Sequence, residues 1–113
     1  MTKNQFKEPL IFQIVLNMII IDVIFDGDYF NFTRIIQALA KQCPEFEVKE
    51  AVKAFKKLKC FSELVDELAL SGINDYMYTA PSGLGYKYTW LHKRFFSDML
   101  DYLSPGYTRM LYD

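Results

Sequence analysis

Lysine side chains are concentrated in one short stretch of the chain, VKEAVKAFKKLKC, at residues 48–60. At helical spacing its apolar residues form one stripe, and four lysines lie together on the opposite face. These are Lys49, Lys53, Lys56 and Lys57. Ammonium groups bind phosphate oxygens without reading base sequence, so the stretch predicts a phosphate-binding face. The alternative is an ordinary solvated face, since Glu50 interrupts the row and can pair with its neighbours.

A second group of side chains is aromatic and alternates along YKYTWLH, at residues 86–92. Period-two alternation predicts a strand with Tyr86, Tyr88 and Trp90 on one face. Tyrosine and tryptophan are favoured both at protein interfaces and in base stacking, so this face is a candidate partner-binding surface. Packing of the same face into the core is the alternative.

Catalysis and metal binding have little support in the sequence. His92 is the one histidine, and nothing near it in sequence suggests a nucleophile or an orienting carboxylate. Cys43 and Cys60 are too far apart for a CxxC site, and the aspartates around Gly27 lack calcium-loop spacing. We therefore expect no enzyme, no metal and no cofactor.

Length and composition predict one domain over residues 1–113. The chain is 51% hydrophobic and 17% aromatic, which argues against disorder, and its net charge is −1, so affinity for polyanions must come from local patches. The uncharged run over residues 9–21 is shorter than the ~20 residues of a membrane span, and no small-residue cleavage site follows it. A cytoplasmic protein without membrane contact is the expectation, the host cytoplasm if the chain is viral.

Hydrophobic periodicity divides the chain into six elements. Helices are predicted over about residues 9–25, 32–43, 46–59, 62–71 and 93–103, and a β-hairpin over about 73–91. The first helix would be apolar almost all round, so it must be buried on several sides. A homodimer could bury it, or the last helix could cover it within one chain, and the sequence does not decide between the two. A homodimer could form through the first helix or through the last.

The order of these elements resembles that of a winged helix-turn-helix domain. The resemblance rests on the stripes of FTRIIQALAKQC and VKEAVKAFKKL, the short CPEF turn and the hairpin around APSGLG, and it covers roughly residues 9–91. It implies an α+β but mainly α fold, with three to five helices and one hairpin. It also implies that the four lysines face the major groove, with Lys87 on the wing and Arg34 near phosphates.

Two functions follow as expectations. The first is a regulator of transcription that binds double-stranded DNA through the lysine-rich helix and the wing. The second is a protein-binding adaptor or inhibitor, of the kind that viruses and mobile elements use to block a host complex. This adaptor would use the aromatic hairpin or the apolar helix, and the scarcity of base-reading side chains on the lysine face favours it.

Overall fold

A computed structural model describes residues 10–16, 18–42 and 47–103. The five strands are β1 (Leu10–Leu16), β2 (Ile19–Asp26), β3 (Tyr29–Asn31), β4 (Met77–Pro81) and β5 (Lys87–His92). The helices are α1 (Phe32–Gln42), α2 (Val48–Lys56), α3 (Lys59–Leu70) and α4 (Phe96–Leu103), and a 3₁₀ turn, Lys93–Phe95, precedes α4.

All five strands form one antiparallel sheet in the order β1-β2-β3-β5-β4. The central strand β3 is only three residues long, and Asn31 leads directly into α1. The side chain of Asn31 caps this helix, since its Oδ1 accepts a hydrogen bond from Arg34 N at 3.0 Å. The sheet is thus joined without a loop to the helix that packs against it.

One face of the sheet packs on the helices and makes the core. Phe25, Phe30, Leu91 and Met77 lie in one row across four strands of this face. Beyond them, aromatic rings from the helices pack together, with Phe61 stacked on Phe95 at a centroid distance of 4.6 Å. Phe55 of α2 is fully buried against this cluster, so α2 is anchored by one face only.

The predicted helix over residues 9–25 is wrong, because this segment is the β1–β2 hairpin. Leu10 pairs with Phe25 and Leu16 with Ile19, so the two strands are in register along their whole length. Isoleucine and valine are frequent here, and branching at Cβ favours strands over helices. Residues 10–25 contain no Gly or Pro that would indicate a turn, so the length of the apolar run indicated a helix.

A mainly α fold with a single hairpin is therefore also wrong. Over the described residues the chain is α+β, with two hairpins and a short central strand forming a five-stranded sheet beside four helices. The remaining elements lie close to where the sequence predicts them: α1, α2, α3 and α4 fall within or near the predicted helices, and β4 with β5 forms the predicted hairpin. Cys43 and the CPEF turn at residues 43–46, like the chain end from residue 104, lie outside the described residues.

Candidate nucleic-acid interface

Helix α2 points its lysines away from the protein body. Ala51 and Phe55 are buried, whereas Lys49, Lys53 and Lys56 are exposed. The same is true of Lys57, which ends the helix as its C-cap. The helical stripe read from the sequence thus has the predicted orientation, and the ammonium groups are in water.

Three of the six candidate DNA-binding residues lie around one groove between α2 and β5. Lys49 and Lys53 come from the helix and Lys87 from the strand, and together they line a volume of about 230 Å³. We call this feature the basic groove. The other residues that line it are Thr33, Val48, Val52 and Thr89. A helix and a hairpin that are far apart in sequence thus present cations to the same space.

A hydrogen bond at the base of the basic groove joins α1 to β5. Thr33, in the first turn of α1, is buried, and its Oγ1 accepts a hydrogen bond from Thr89 N of β5 at 2.7 Å. The bond continues the ladder of β3 and β5 past Asn31, where β3 has ended and α1 has begun. It holds the backbone of β5 in place at Thr89, two residues after Lys87.

The lysines of the basic groove are only weakly neutralised by their neighbours. Lys53 lies 4.0 Å from Glu50, and both side chains are about two-thirds exposed. An exposed pair at this distance contributes little and leaves the ammonium available to another anion. Within residues 10–16, 18–42 and 47–103, Lys49 and Lys87 take part in no ion pair.

Arg34 lies elsewhere, in a larger cleft between α1, the β1–β2 hairpin and the start of β5. We call it the polar cleft; it encloses about 700 Å³. It contains two cations, Arg34 and Lys41, two phenols, Tyr86 and Tyr88, and one carboxylate, Asp22. Its other lining residues are Gln13, Ile20, Ile21, Gln37, Ala38 and Leu84. Because Lys87 lines the basic groove and its two neighbours line the polar cleft, the two features flank the first residues of β5.

The three candidate partner-binding aromatics do not form one common surface. Tyr86 and Tyr88 meet edge to face at 5.7 Å in the polar cleft. Trp90 is half-buried instead, and it stacks on Tyr78 across the hairpin with a centroid distance of 6.0 Å and an interplanar angle of 5°. Lys56 and Lys57 also lie outside both concave features and extend the basic row along α2.

The small net charge conceals two oppositely charged surfaces. Lysines dominate the exposed side of α2, whereas carboxylates gather on α3 and α4. Burial raises the pKa of Asp98, and the nearby carboxylates of Asp101, Glu67 and Glu63 raise that pKa further. The basic side of the molecule therefore has a local field that the total of −1 does not reveal.

Sequence reasoning missed part of the polar cleft. Lys41 lies seven residues after Arg34 in α1, two helical turns away on the same face, and this spacing was a usable signal. Sequence reasoning could not place Gln13 and Asp22 together, because their side chains meet only when β1 pairs with β2. In the structure Gln13 Nε2 donates to Asp22 Oδ1 at 3.1 Å.

His92 has a structural role in this arrangement. It is buried, and its Nδ1 accepts a hydrogen bond from Arg94 N at 3.1 Å, which caps the 3₁₀ turn. Burial lowers the pKa of the imidazole, and the positive charges of Lys93 and Arg94 act in the same direction against the opposing effect of Asp28. In the part of the chain that the structure describes, no group of three or more His, Cys, Asp or Glu residues is arranged to hold a metal ion.

Comparison with protein-family models, curated proteins and solved structures found no match to this chain. The resemblance to winged helix-turn-helix domains is thus without support from a relative. Among the described residues, no helix has both the length and the apolar character needed to cross a bilayer.

Proposed function

We propose that this protein binds double-stranded DNA through the basic groove and the lysine row of α2. The observation that carries the proposal is the convergence of Lys49, Lys53 and Lys87, from two separate elements, on one groove. Lysines that are far apart in sequence lie around one groove only because the fold brings them together. If the α2 lysines were only a solvated helix face, no lysine would be expected beside them on strand β5.

The chemistry of the groove favours phosphate contacts over base readout. Lysine is a compact point charge that binds phosphate, whereas arginine, asparagine and glutamine make the best bidentate contacts with base edges. The basic groove contains none of these three residue types. We therefore expect weak binding with little sequence preference, with a dissociation constant of about 1–100 µM at physiological salt and tighter binding at low salt.

Salt dependence gives the binding a measurable signature. Each lysine that neutralises a phosphate releases condensed counterions, so three contacts give a slope of log affinity against log salt of roughly −2.7. The slope becomes steeper if Lys56 and Lys57 also reach the backbone. A fluorescence-anisotropy titration of a labelled random duplex at several salt concentrations measures this slope.

Charge reversal tests which lysines are used. We expect the variant Lys49→Glu with Lys53→Glu, and separately Lys87→Glu, to lose affinity for the duplex. The matched control is Lys59→Glu with Lys93→Glu, which changes the total charge by the same amount as the α2 pair. These two exposed lysines lie near Glu63 and Asp28, at 3.9 and 3.2 Å, outside the basic groove. Equal losses in the α2 pair and the control would mean that only bulk charge matters, and would contradict the proposal.

A second candidate function is binding of a protein partner at the tip of the β4–β5 hairpin. Leu84 is 70% exposed and Tyr86 40% exposed at the edge of the polar cleft. Exposed aromatic and aliphatic side chains beside a concave surface are typical of a protein-binding site. If the protein fails to bind duplex DNA even at low salt, this adaptor function becomes the better account. Leu84→Ser and Tyr86→Ser would then abolish partner binding while the charge reversals leave it intact.

A further inference from the structure

Strand β1 is the most exposed apolar element in the described part of the chain. It forms one outer edge of the sheet and has β2 on one side only. Its sequence, LIFQIVL, contains no charged residue and no proline. Leu10 and Ile11 are each 61% exposed and Phe12 is 53% exposed, so side chains on both faces of the strand are in contact with water.

An uncovered edge of this kind tends to pair with a strand of another molecule. Its outward N–H and C=O groups can pair with another strand, and proteins usually block such pairing with charges, prolines or bulges. Here the exposed apolar surface is also concentrated: among the described residues, six of the ten large exposed hydrophobic side chains lie in β1, in β2 or in the turn between them. They are Leu10, Ile11, Phe12, Val15, Met18 and Ile20.

We propose that β1 pairs with β1 of a second copy of this chain, antiparallel, about a two-fold axis through Gln13. The two sheets would then join into one continuous sheet of ten strands. In this register Leu10 lies opposite Leu16, Ile11 opposite Val15, Phe12 opposite Ile14, and Gln13 opposite its own counterpart. The centre of the strand is the one position that allows all seven residues to pair.

The strand is suited to pairing with itself because it carries no charge. An antiparallel two-fold contact places each side chain opposite another from the same strand, so any lysine or glutamate would risk facing a like charge. In β1 every opposed pair is apolar apart from the central amides. One N–H of the Gln13 amide bonds Asp22 within its own chain, so the second N–H and the amide oxygen are left to pair with the counterpart Gln13.

The contact rests on the four exposed apolar side chains of β1 itself, Leu10, Ile11, Phe12 and Val15. They leave on the order of 400 Å² uncovered, about half of the roughly 800 Å² that each partner buries in a standard interface. Main-chain hydrogen bonds between the two strands add to this contact. The inference goes beyond DNA binding and does not depend on it, because β1 lies outside the basic groove.

Sedimentation analysis of the full chain at concentrations up to on the order of 100 µM tests the dimer. We expect a concentration-dependent dimer. A strictly monomeric protein would overturn the proposal. It would indicate that the chain's own terminal residues, or a different protein, cover β1.

Two matched double variants test the register. Ile11→Lys with Val15→Lys places like charges opposite each other twice across the two-fold axis, so the dimer should weaken by about 100-fold or more. Ile11→Lys with Val15→Glu places opposite charges there and should restore dimerisation to within about tenfold of the wild type. Both variants replace the same two exposed side chains with charged ones. Equal dissociation of the two would contradict the proposed pairing. Circular dichroism checks that each variant is folded.

Cross-linking gives an independent reading of the same geometry. Gln13→Cys should form a disulfide-linked dimer under mild oxidation, because paired residues on adjacent strands fall within the Cα separation that a disulfide requires. Ile11→Cys is the control, since its counterpart in the other copy would lie four residues away. Cross-linking of both variants to the same extent, or of neither, would overturn the register. The unmodified chain, with Cys43 and Cys60, gives the background.

Discussion

Thr33 and Thr89 lie 56 positions apart in the chain, and one hydrogen bond joins them. The side-chain oxygen of Thr33 accepts it from the backbone nitrogen of Thr89 at 2.7 Å. Both residues line the basic groove. The bond therefore connects α1 to the strand that carries Lys87, and it fixes the position of that strand beside α1.

Removing this bond should cost stability. Thr33→Val keeps the shape of the side chain but leaves the N–H of Thr89 without its partner. Because the bond is partly buried, the cost should lie toward the lower end of the about 1–3 kcal/mol of a buried unsatisfied donor. Thr33→Ser keeps the hydroxyl and should lose less than about 1 kcal/mol. Chemical denaturation measures both. A Val variant as stable as the wild type would show that the bond contributes nothing.

The turn of the β1–β2 hairpin offers a test of the strand assignment. Met18 has a φ of 68° and is 93% exposed, so its backbone is in the left-handed region that glycine adopts without strain. Met18→Gly should therefore leave stability unchanged or raise it, by up to about 1 kcal/mol. In a continuous helix the same change would lower stability by about 1 kcal/mol. Met18→Ala, which retains the strain, is the control, and thermal unfolding gives the sign.

His92 should make the protein less stable in mild acid. Its pKa is lowered below 6.5 in the folded state because burial disfavours the charged ring, so the unfolded chain binds the proton first. The stabilising contribution is present above pH 6.5 and is lost as pH falls through the folded-state pKa. His92→Asn keeps an acceptor for Arg94 N without titrating, and the chain has no other histidine. Denaturation between pH 7.5 and 5 should show a smaller loss of stability in the variant than in the wild type; equal losses would contradict this.

Asp98 should have the opposite pH dependence. Burial and neighbouring carboxylates raise its pKa above 3.8, so the folded state binds the proton more tightly than the unfolded state. The charged carboxylate destabilises the folded state at neutral pH, and this destabilisation is lost as pH falls through the folded-state pKa. The stability of Asp98→Asn relative to the wild type should therefore be greatest near pH 7 and decline toward pH 3.8. A difference that does not change with pH would show that the carboxylate is not perturbed.

The helical half of the fold could be predicted because its polar and apolar residues separate cleanly. In α1 the buried residues Phe32, Ile35, Ile36 and Leu39 follow helical spacing, and in α2 Ala51 and Phe55 do the same. The β1–β2 hairpin gave no such pattern, because apolar residues occupy both faces of its strands. Ile11 and Ile20 are apolar although they are exposed, so the segment lacks the alternation of polar and apolar residues that indicates a strand.

The candidate site follows the same division. The outward orientation of Lys49 and Lys53 depends on α2 alone, so periodicity was sufficient to predict it. The polar cleft depends on long-range pairing, since Gln13, Asp22 and Arg34 are brought together by two strands and a helix. One sequence contains little information about such contacts when the strands have no alternation and no turn residues.

The most direct test of DNA binding through the basic groove is a titration of isotope-labelled protein with a random duplex at low salt, followed by amide chemical shifts. We expect the largest changes in α2 around Lys49 and Lys53, at Thr33, and in β5 from Lys87 to Thr89, and we expect these changes to disappear as salt is raised. Shifts confined to α3 and α4, or no shifts at all at protein and duplex concentrations on the order of 100 µM, would contradict the account.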